Sequence, residues 1–153
     1  MRVTFHSKRL FEMLTQRFQL PAGVKSYTVL IPKEILDSTP QNIAAVLRGM
    51  FDTDGCVFFD NRKAYKVPYM RIVLTMKNPP ILAQVVEVLA RLGIHGHISR
   101  GRDVHIIARE DIDQFLRVVG FSNPKHIDKV LKAYPDFEEY NPGTRRNQLL
   151  AVE

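Results

Sequence analysis

Apolar residues recur along this chain in two periods, one helical and one alternating, and the periods take turns. The segment TPQNIAAVLRGMF sets Ile43, Val46, Leu47 and Met50 on one helical stripe. Thr39 suits its N-cap, Pro40 its first helical position, and Gly55 the place just past its end. Next, CVFFDNR and YKVPYMRIVLTMK are rich in β-branched and aromatic residues and predict two strands around a turn in DNRKAY, with Pro68 interrupting or exposing the start of the second. NPPILAQVVEVLARLG then returns to the helical period, with Asn78 as cap, Gly93 as stop, and Leu82, Val85, Val86 and Leu89 as the buried face. A second strand pair is expected in IHGHISR and DVHIIA, with Gly101 in its turn. REDIDQFLRVVG and NPKHIDKVLKAY predict two more helices, the latter capped by Asn123. Upstream, SKRLFEMLTQRF places Leu10, Phe11, Leu14 and Phe18 on one face behind a Ser7 cap, LPAGVKSYTVLIP gives a turn and an extended run, and KEILDS a helical turn.

From residue 40 the order is helix, strand, strand, helix, strand, strand, helix, helix. That is an α+β arrangement: a mostly antiparallel sheet with helices covering one face and the other face open. The chain divides into an N-terminal extension over 1–39, a core over 40–134 and a less regular tail over 135–153.

Charge narrows the partner. The 153 residues carry 22 Lys and Arg against 16 Asp and Glu, a formal net charge of +6, which favours a polyanion: nucleic acid first, an anionic membrane surface second. Cys56 is the one cysteine, so no intramolecular disulfide and no cysteine-built zinc site can form, and an intracellular setting, cytoplasmic or organellar, is expected. The N-terminus MRVTFHSKRLFEML breaks its apolar residues with charges and does not read as a signal peptide, and no apolar run is long enough to span a membrane. Met1, and the lack of splice-junction residues at either end, point to a free-standing chain.

One stretch carries the chemistry. GMFDTDGCVFF puts Asp52 and Asp54 at the end of a predicted helix, where the helix dipole repels negative charge. An EF-hand loop counted from Asp52 would need glycine where Val57 stands and an acid where Lys63 stands, so that reading fails. The nucleophile motif of the haloacid-dehalogenase-like phosphatases is similar to FDTDG, but there the acids follow a strand, whereas IAAVLRGMF has helical period and cap. A plain helix stop with an Asp-Gly turn leaves both acids unexplained. A hard divalent cation such as Mg²⁺ would explain them.

LRGMFDTDG resembles the motif of the LAGLIDADG homing endonucleases. Leu47 and Gly49 match its first Leu and Gly, Met50 and Phe51 its two apolar places, and Asp52, Asp54 and Gly55 its acids and final Gly. Arg48 replaces the alanine. The motif heads an αββαββα series, the family's order, and the upstream KSYTVLIPKEILDS is similar to the segment preceding the motif in intein-associated members. The resemblance spans about residues 24–134.

The resemblance implies site-specific, metal-dependent hydrolysis of double-stranded DNA at a long pseudo-palindromic site, leaving 3′ overhangs. With one motif present, it implies a homodimer in which Ala44, Ala45, Arg48 and Gly49 form the close helix–helix face. It implies a metal set of Asp54, with Asp52 and Gly49, holding Mg²⁺ or Mn²⁺ or Ca²⁺ in its place. Asp54 and the basic Lys125 are the implied catalytic residues, while Met76 stands where a polar pocket residue is commoner. The open sheet face becomes a DNA saddle carrying Asp60, Arg62, Lys66, Tyr69, Arg71, Lys77, Ser99, Arg100, Arg102 and His105. The alternative is a member that binds DNA or RNA without cutting, as a transcription regulator or intron maturase.

Overall fold

The computed structural model describes residues 6–23, 27–61 and 69–144. Helix α1 (Lys8–Glu12) runs into a π-helical turn (Met13–Arg17), followed by α2 (Lys33–Leu36) and α3 (Pro40–Asp54). Strands β1 (Gly55–Asp60) and β2 (Tyr69–Thr75), helix α4 (Pro79–Arg91), strands β3 (His97–Ser99) and β4 (Asp103–Ile106), and helix α5 (Arg109–Val118) complete the expected series. Helices α6 (Pro124–Leu131) and α7 (Phe137–Tyr140) close the described chain.

The four strands form one sheet in the order β1-β2-β4-β3, with every neighbouring pair antiparallel. Alternation divides its faces. Val57, Ile72, Leu74, Val104 and Ile106 point into the core and are fully buried, against Leu82, Val85 and Leu89 of α4 and Phe115 and Leu116 of α5. Each such side chain contributes about 1.5–3 kcal/mol by leaving water. The helices thus cover one face, and the α+β expectation holds.

Several local expectations change. Gly55 is extended, φ −88° and ψ 166°, not left-handed. Glycine is required there because a Cβ would lie 2.2 Å from the Phe51 carbonyl oxygen. Asn78 does not cap α4; its Nδ2 donates to the Val29 carbonyl at 2.5 Å, anchoring the extended N-terminal run. Phe11 is 57% exposed, so the N-terminal stripe is not buried along its whole length. Val86 is only half-buried, and Ile81 and Val88 are buried instead. Thr39, Ser7, Asn123 and Gly93 do cap or stop their helices as the sequence predicts. Pro68 and the DNRKAY turn beyond Asn61 lie outside the described residues.

Both flanks dock on the core. The Ile31 N–H donates to Gln84 Oε1 at 2.8 Å, and Arg91 Nη1 donates to the Leu36 carbonyl at 2.6 Å. In the tail, Asn141 is fully buried: its Oδ1 accepts from the Phe121 N–H and its Nδ2 donates to the Phe121 carbonyl.

Candidate nucleic-acid and metal site

The site is built where α3 ends, β1 begins and α6 starts. An aromatic run holds these elements together: Phe51 meets Phe115 edge-on at 4.8 Å, Phe115 meets Phe121 at 5.4 Å, and Phe121 meets His126 at 5.1 Å. Arg48, only 9% exposed, adds a hydrogen bond from Nε to the Val119 carbonyl at 2.6 Å.

The two aspartates part company. Two residues turn the helix by about 200°, so their carboxylates leave opposite sides of α3. Asp52 faces the start of α6: its carboxylate accepts from the backbone N–H groups of Ser122 (3.0 and 3.1 Å) and Asn123 (3.1 Å). Its carbonyl accepts from Asn123 Nδ2 at 2.9 Å. Asp52 therefore sits at the negative end of one helix but at the positive end of another, and α6 compensates it. The Asp52 carboxylate thus supports the foot of α3 and does not converge with that of Asp54. Asp54 is exposed, and its Oδ2 accepts only a 3.3 Å contact from Thr53 Oγ1 among the described hydrogen bonds. The Gly49 carbonyl accepts from Thr53 Oγ1 at 3.0 Å.

Among the described residues no group of three or more His, Cys, Asp or Glu side chains converges as a cation site. Of the two motif acids, then, Asp54 alone points outward. That suits a hard cation only when other oxygens, from a second protomer or a phosphate, complete the shell.

Lys125 is exposed in the first turn of α6, where its N–H donates to the Asn123 cap at 3.1 Å. The Asp52–Asn123 contacts tie that turn to the foot of α3 on the Asp52 side, and Lys125 makes no ion pair among the described residues. Lys129, which the sequence did not single out, donates from Nζ to the Val57 carbonyl at 2.8 Å and covers the edge of β1.

Of the four residues assigned to a helix–helix face, Ala45 and Gly49 do face outward with Asn42 and Thr53, and nothing lies within 4 Å of a Cβ built on Gly49. Ala44, 3% exposed, and Arg48, 9% exposed, turn instead into the chain's own core, away from the outward strip.

The open sheet face presents Cys56, Phe58 and Asp60 on β1, Tyr69, Arg71, Val73 and Thr75 on β2, Asp103 and His105 on β4, and His97 and Ser99 on β3. Cys56, Phe58 and Thr75 were legible from alternation against the buried Val57 and Ile72. Arg71 Nη2 pairs with Asp60 Oδ2 at 2.8 Å, and the two side chains are only 14% and 10% exposed. The Tyr69 hydroxyl donates to the Ile107 carbonyl at 2.6 Å. His97 and His105, directly opposed in register, stack at 5.4 Å. Burial first, then the charges of His97, Arg71 and Arg100, holds the His105 pKa below its ordinary value against the pull of Asp103. Lys77, Arg100 and Arg102 stand exposed at the end of the sheet nearest Gly55. Arg62 and Lys66 lie outside the described residues. Met76 lines an apolar groove of about 400 Å³ with Val46, Met50, Val29 and Ile81, so that position brings no polar side chain to the corner.

Comparison with known proteins fits this geometry. The profile described as "LAGLIDADG-like domain" matches residues 41–120, just over half of the chain. A segment of "Probable translation initiation factor IF-2" from Thermococcus kodakarensis is 27% identical over 141 residues, 85% of this chain and 12% of that protein. A segment of "Replicative DNA helicase DnaB" from Rhodothermus marinus is 24% identical over 139 residues, 85% of this chain and 14% of that protein. "Reverse gyrase" from Methanocaldococcus jannaschii is 33% identical over 84 residues, 53% of this chain and 5% of that protein. The chain thus spans a small fraction of the length of these relatives. With its motif at the foot of α3, its αββαββα order and a profile match running from α3 through α5, the chain belongs to the LAGLIDADG family of DNA-binding, nuclease-type proteins.

Proposed function

We propose that this chain is a site-specific, divalent-metal-dependent homing endonuclease that acts as a homodimer on a long pseudo-palindromic DNA site and leaves 3′ overhangs. The observation that carries the reading is the contrast between the two motif acids. Asp52 is engaged by the backbone of α6, while Asp54 is exposed and, among the described residues, has no hydrogen-bond partner beyond the Thr53 hydroxyl. A carboxylate kept at the unfavourable end of α3, where the fold does not compensate it, is explained by a cation and a phosphate.

In this reading each protomer contributes one Asp54 near a two-fold axis, along which the outward strip of Ala45 and Gly49 lets two α3 helices approach. Mg²⁺, or Mn²⁺ or Ca²⁺ in its place, would polarise the phosphate, ease ionisation of the attacking water and stabilise the leaving oxygen. Asp54 holds the charge at the reacting centre, Lys125 offsets charge beside it, and the open face lies along the duplex. The relatives support a self-contained unit. A translation factor, a helicase and a gyrase share no activity by name, so what the matching segments have in common is a module separate from those activities.

A second reading, a DNA- or RNA-binding protein that does not cut, is favoured by one observation: Met76 puts a thioether in an apolar groove where a cleavage site gains from a polar group. Selection from a randomised duplex library with Mg²⁺, followed by sequencing of cut ends, separates the two. Cleavage is expected, and Asp54→Asn is expected to slow it by at least about a thousandfold while binding persists. Tight binding of a selected site that stays intact, with Asp54→Asn indistinguishable from the parent, leaves only the binding reading.

A further inference from the structure

One row of side chains crosses the open sheet face in register. Cys56 pairs with Val73, Val73 with His105, and His105 with His97, so the four lie side by side across the four strands. Directly opposed residues of an antiparallel pair hold their Cβ atoms about 4.5–5.5 Å apart. His97 and His105 are such a pair, and their rings lie 5.4 Å apart and within 18° of parallel. None of the described hydrogen bonds uses a ring nitrogen of either residue, and Nδ1 of His105 is buried without a partner. A neutral imidazole offers one donor and one acceptor, and a buried one left unmatched is a cost to the fold. The sheet therefore keeps two adjacent imidazoles whose nitrogens the fold does not use.

The surroundings favour the neutral, ligating form. Burial lowers the His105 pKa first; His97 on β3, Arg71 on β2 and Arg100 in the turn lower it further, and Asp103 on β4 raises it. Neutral imidazole suits zinc, copper and nickel, whereas magnesium and calcium prefer oxygen. Other donors stand apart from the pair. Cys56 lies beyond Val73, two strand spacings or about 10 Å from His105. Asp103 is directed to Thr75 Oγ1 at 2.7 Å. His95 is held by Asp111, whose Oδ1 lies 2.9 Å from its Nδ1.

We infer that His97 and His105 form a two-imidazole chelate for a late first-row divalent cation of the zinc class, which staples β3 to β4. His97 is exposed and χ2 of a histidine is a broad torsion, so a turn of its ring brings one nitrogen of each residue to a shared ion at about 2.0–2.1 Å. Water fills the remaining positions, in keeping with the lack of a three-residue cation group among the described residues. Strand β3 has three residues, stands at the sheet edge and pairs only with β4, so a cross-link there adds to a short ladder. The inference is independent of the nuclease reading, whose Asp54 offers oxygen to a hard cation.

The test titrates Zn²⁺ into metal-free protein against a chromophoric chelator, with Mg²⁺ in excess, and reads the thermal midpoint alongside. The parent is compared with His97→Gln, His105→Gln and a remote control, His6→Gln. The parent is expected to bind one Zn²⁺, with its midpoint rising by roughly 5–10 °C at a hundredfold excess over the dissociation constant. Each of the two pair variants should bind at least about tenfold more weakly and show no more than about half of that rise. His6→Gln should match the parent. Because His97 is exposed, His97→Gln should keep the parental midpoint without metal, so its loss of Zn²⁺ is read on a folded chain. Parental binding weaker than about 1 mM, or unchanged affinity in His97→Gln, overturns the chelate. Loss in only one pair variant overturns it as well, since a lone imidazole then takes the ion. None of these outcomes bears on DNA cleavage.

Discussion

A carboxylate at the C-terminus of a helix is an electrostatic cost, and this molecule answers it differently at two positions two residues apart. Asp52 is compensated by the first turn of α6, whose Ser122 and Asn123 N–H groups it accepts. Asp52→Ala should therefore unfold the α3–α6 junction early, costing about 1–2 kcal/mol and lowering the thermal midpoint by roughly 3–6 °C. Asp54→Ala should leave the midpoint unchanged or slightly higher, because it removes a charge the α3 dipole repels. If thermal denaturation shows Asp54→Ala to be the more damaging, the division of roles is reversed. His105 offers a second residue-scale test. Its pKa is depressed in the fold, so the native state binds fewer protons than the unfolded chain. That stability is present above the ordinary histidine range, near pH 6.5, and is lost as pH falls through the lowered native value. The parent's midpoint should drop further between pH 7.5 and 5.5 than that of His105→Gln. Equal drops would mean that His105 is not protonation-linked to folding.

At the scale of elements, helix and strand types followed from the period of apolar residues, and what the sequence hid was set by long-range packing. Thr39 and Asn123 cap their helices because a capping hydroxyl or amide acts on its own next turn, a local event. Asn78 has the same local signature, yet its amide goes to Val29, 49 residues away. The tail over 135–144 looked irregular because its order depends on Asn141 reaching Phe121, which no periodicity records. The site was similarly half legible. The motif named Asp54, but which acid α6 would occupy depended on a contact 70 residues distant. Gly55 makes the point testable. Its φ of −88° suits any residue, so only the approach of the Phe51 carbonyl demands glycine. Gly55→Ala must push a Cβ away from backbone atoms of the last turn of α3 and should cost about 2–4 kcal/mol, roughly a 10 °C loss in thermal midpoint. A midpoint within a degree or two of the parent would show that the α3–β1 junction has slack.

At the scale of the whole molecule a continuous core contrasts with a sparse set of acids at the motif. Its core is continuous from Ile31 to Phe137, yet it exposes one motif carboxylate and no three-residue cation cluster among the described residues. The outward strip of α3, Asn42, Ala45, Gly49 and Thr53, recurs at intervals of three to four residues and so lies along one side of the helix. Its middle is a glycine in an exposed helix interior, where alanine or leucine would stabilise the isolated helix by roughly 0.8–1 kcal/mol. Among the described residues nothing needs that glycine, since an added Cβ meets open space. Close approach of a second α3 is a sufficient reason for it. Gly49→Leu separates the two possibilities, because the protomer gains helix propensity while a helix–helix contact is wedged apart. The expected outcome is a variant that melts at or above the parental temperature at low concentration, sediments as a monomer where the parent is a dimer, and no longer cleaves. A parent that stays monomeric with and without duplex DNA, or a Gly49→Leu variant that dimerises as tightly as the parent, would leave the glycine unexplained. A composite site of two Asp54 carboxylates would then lose its geometric basis.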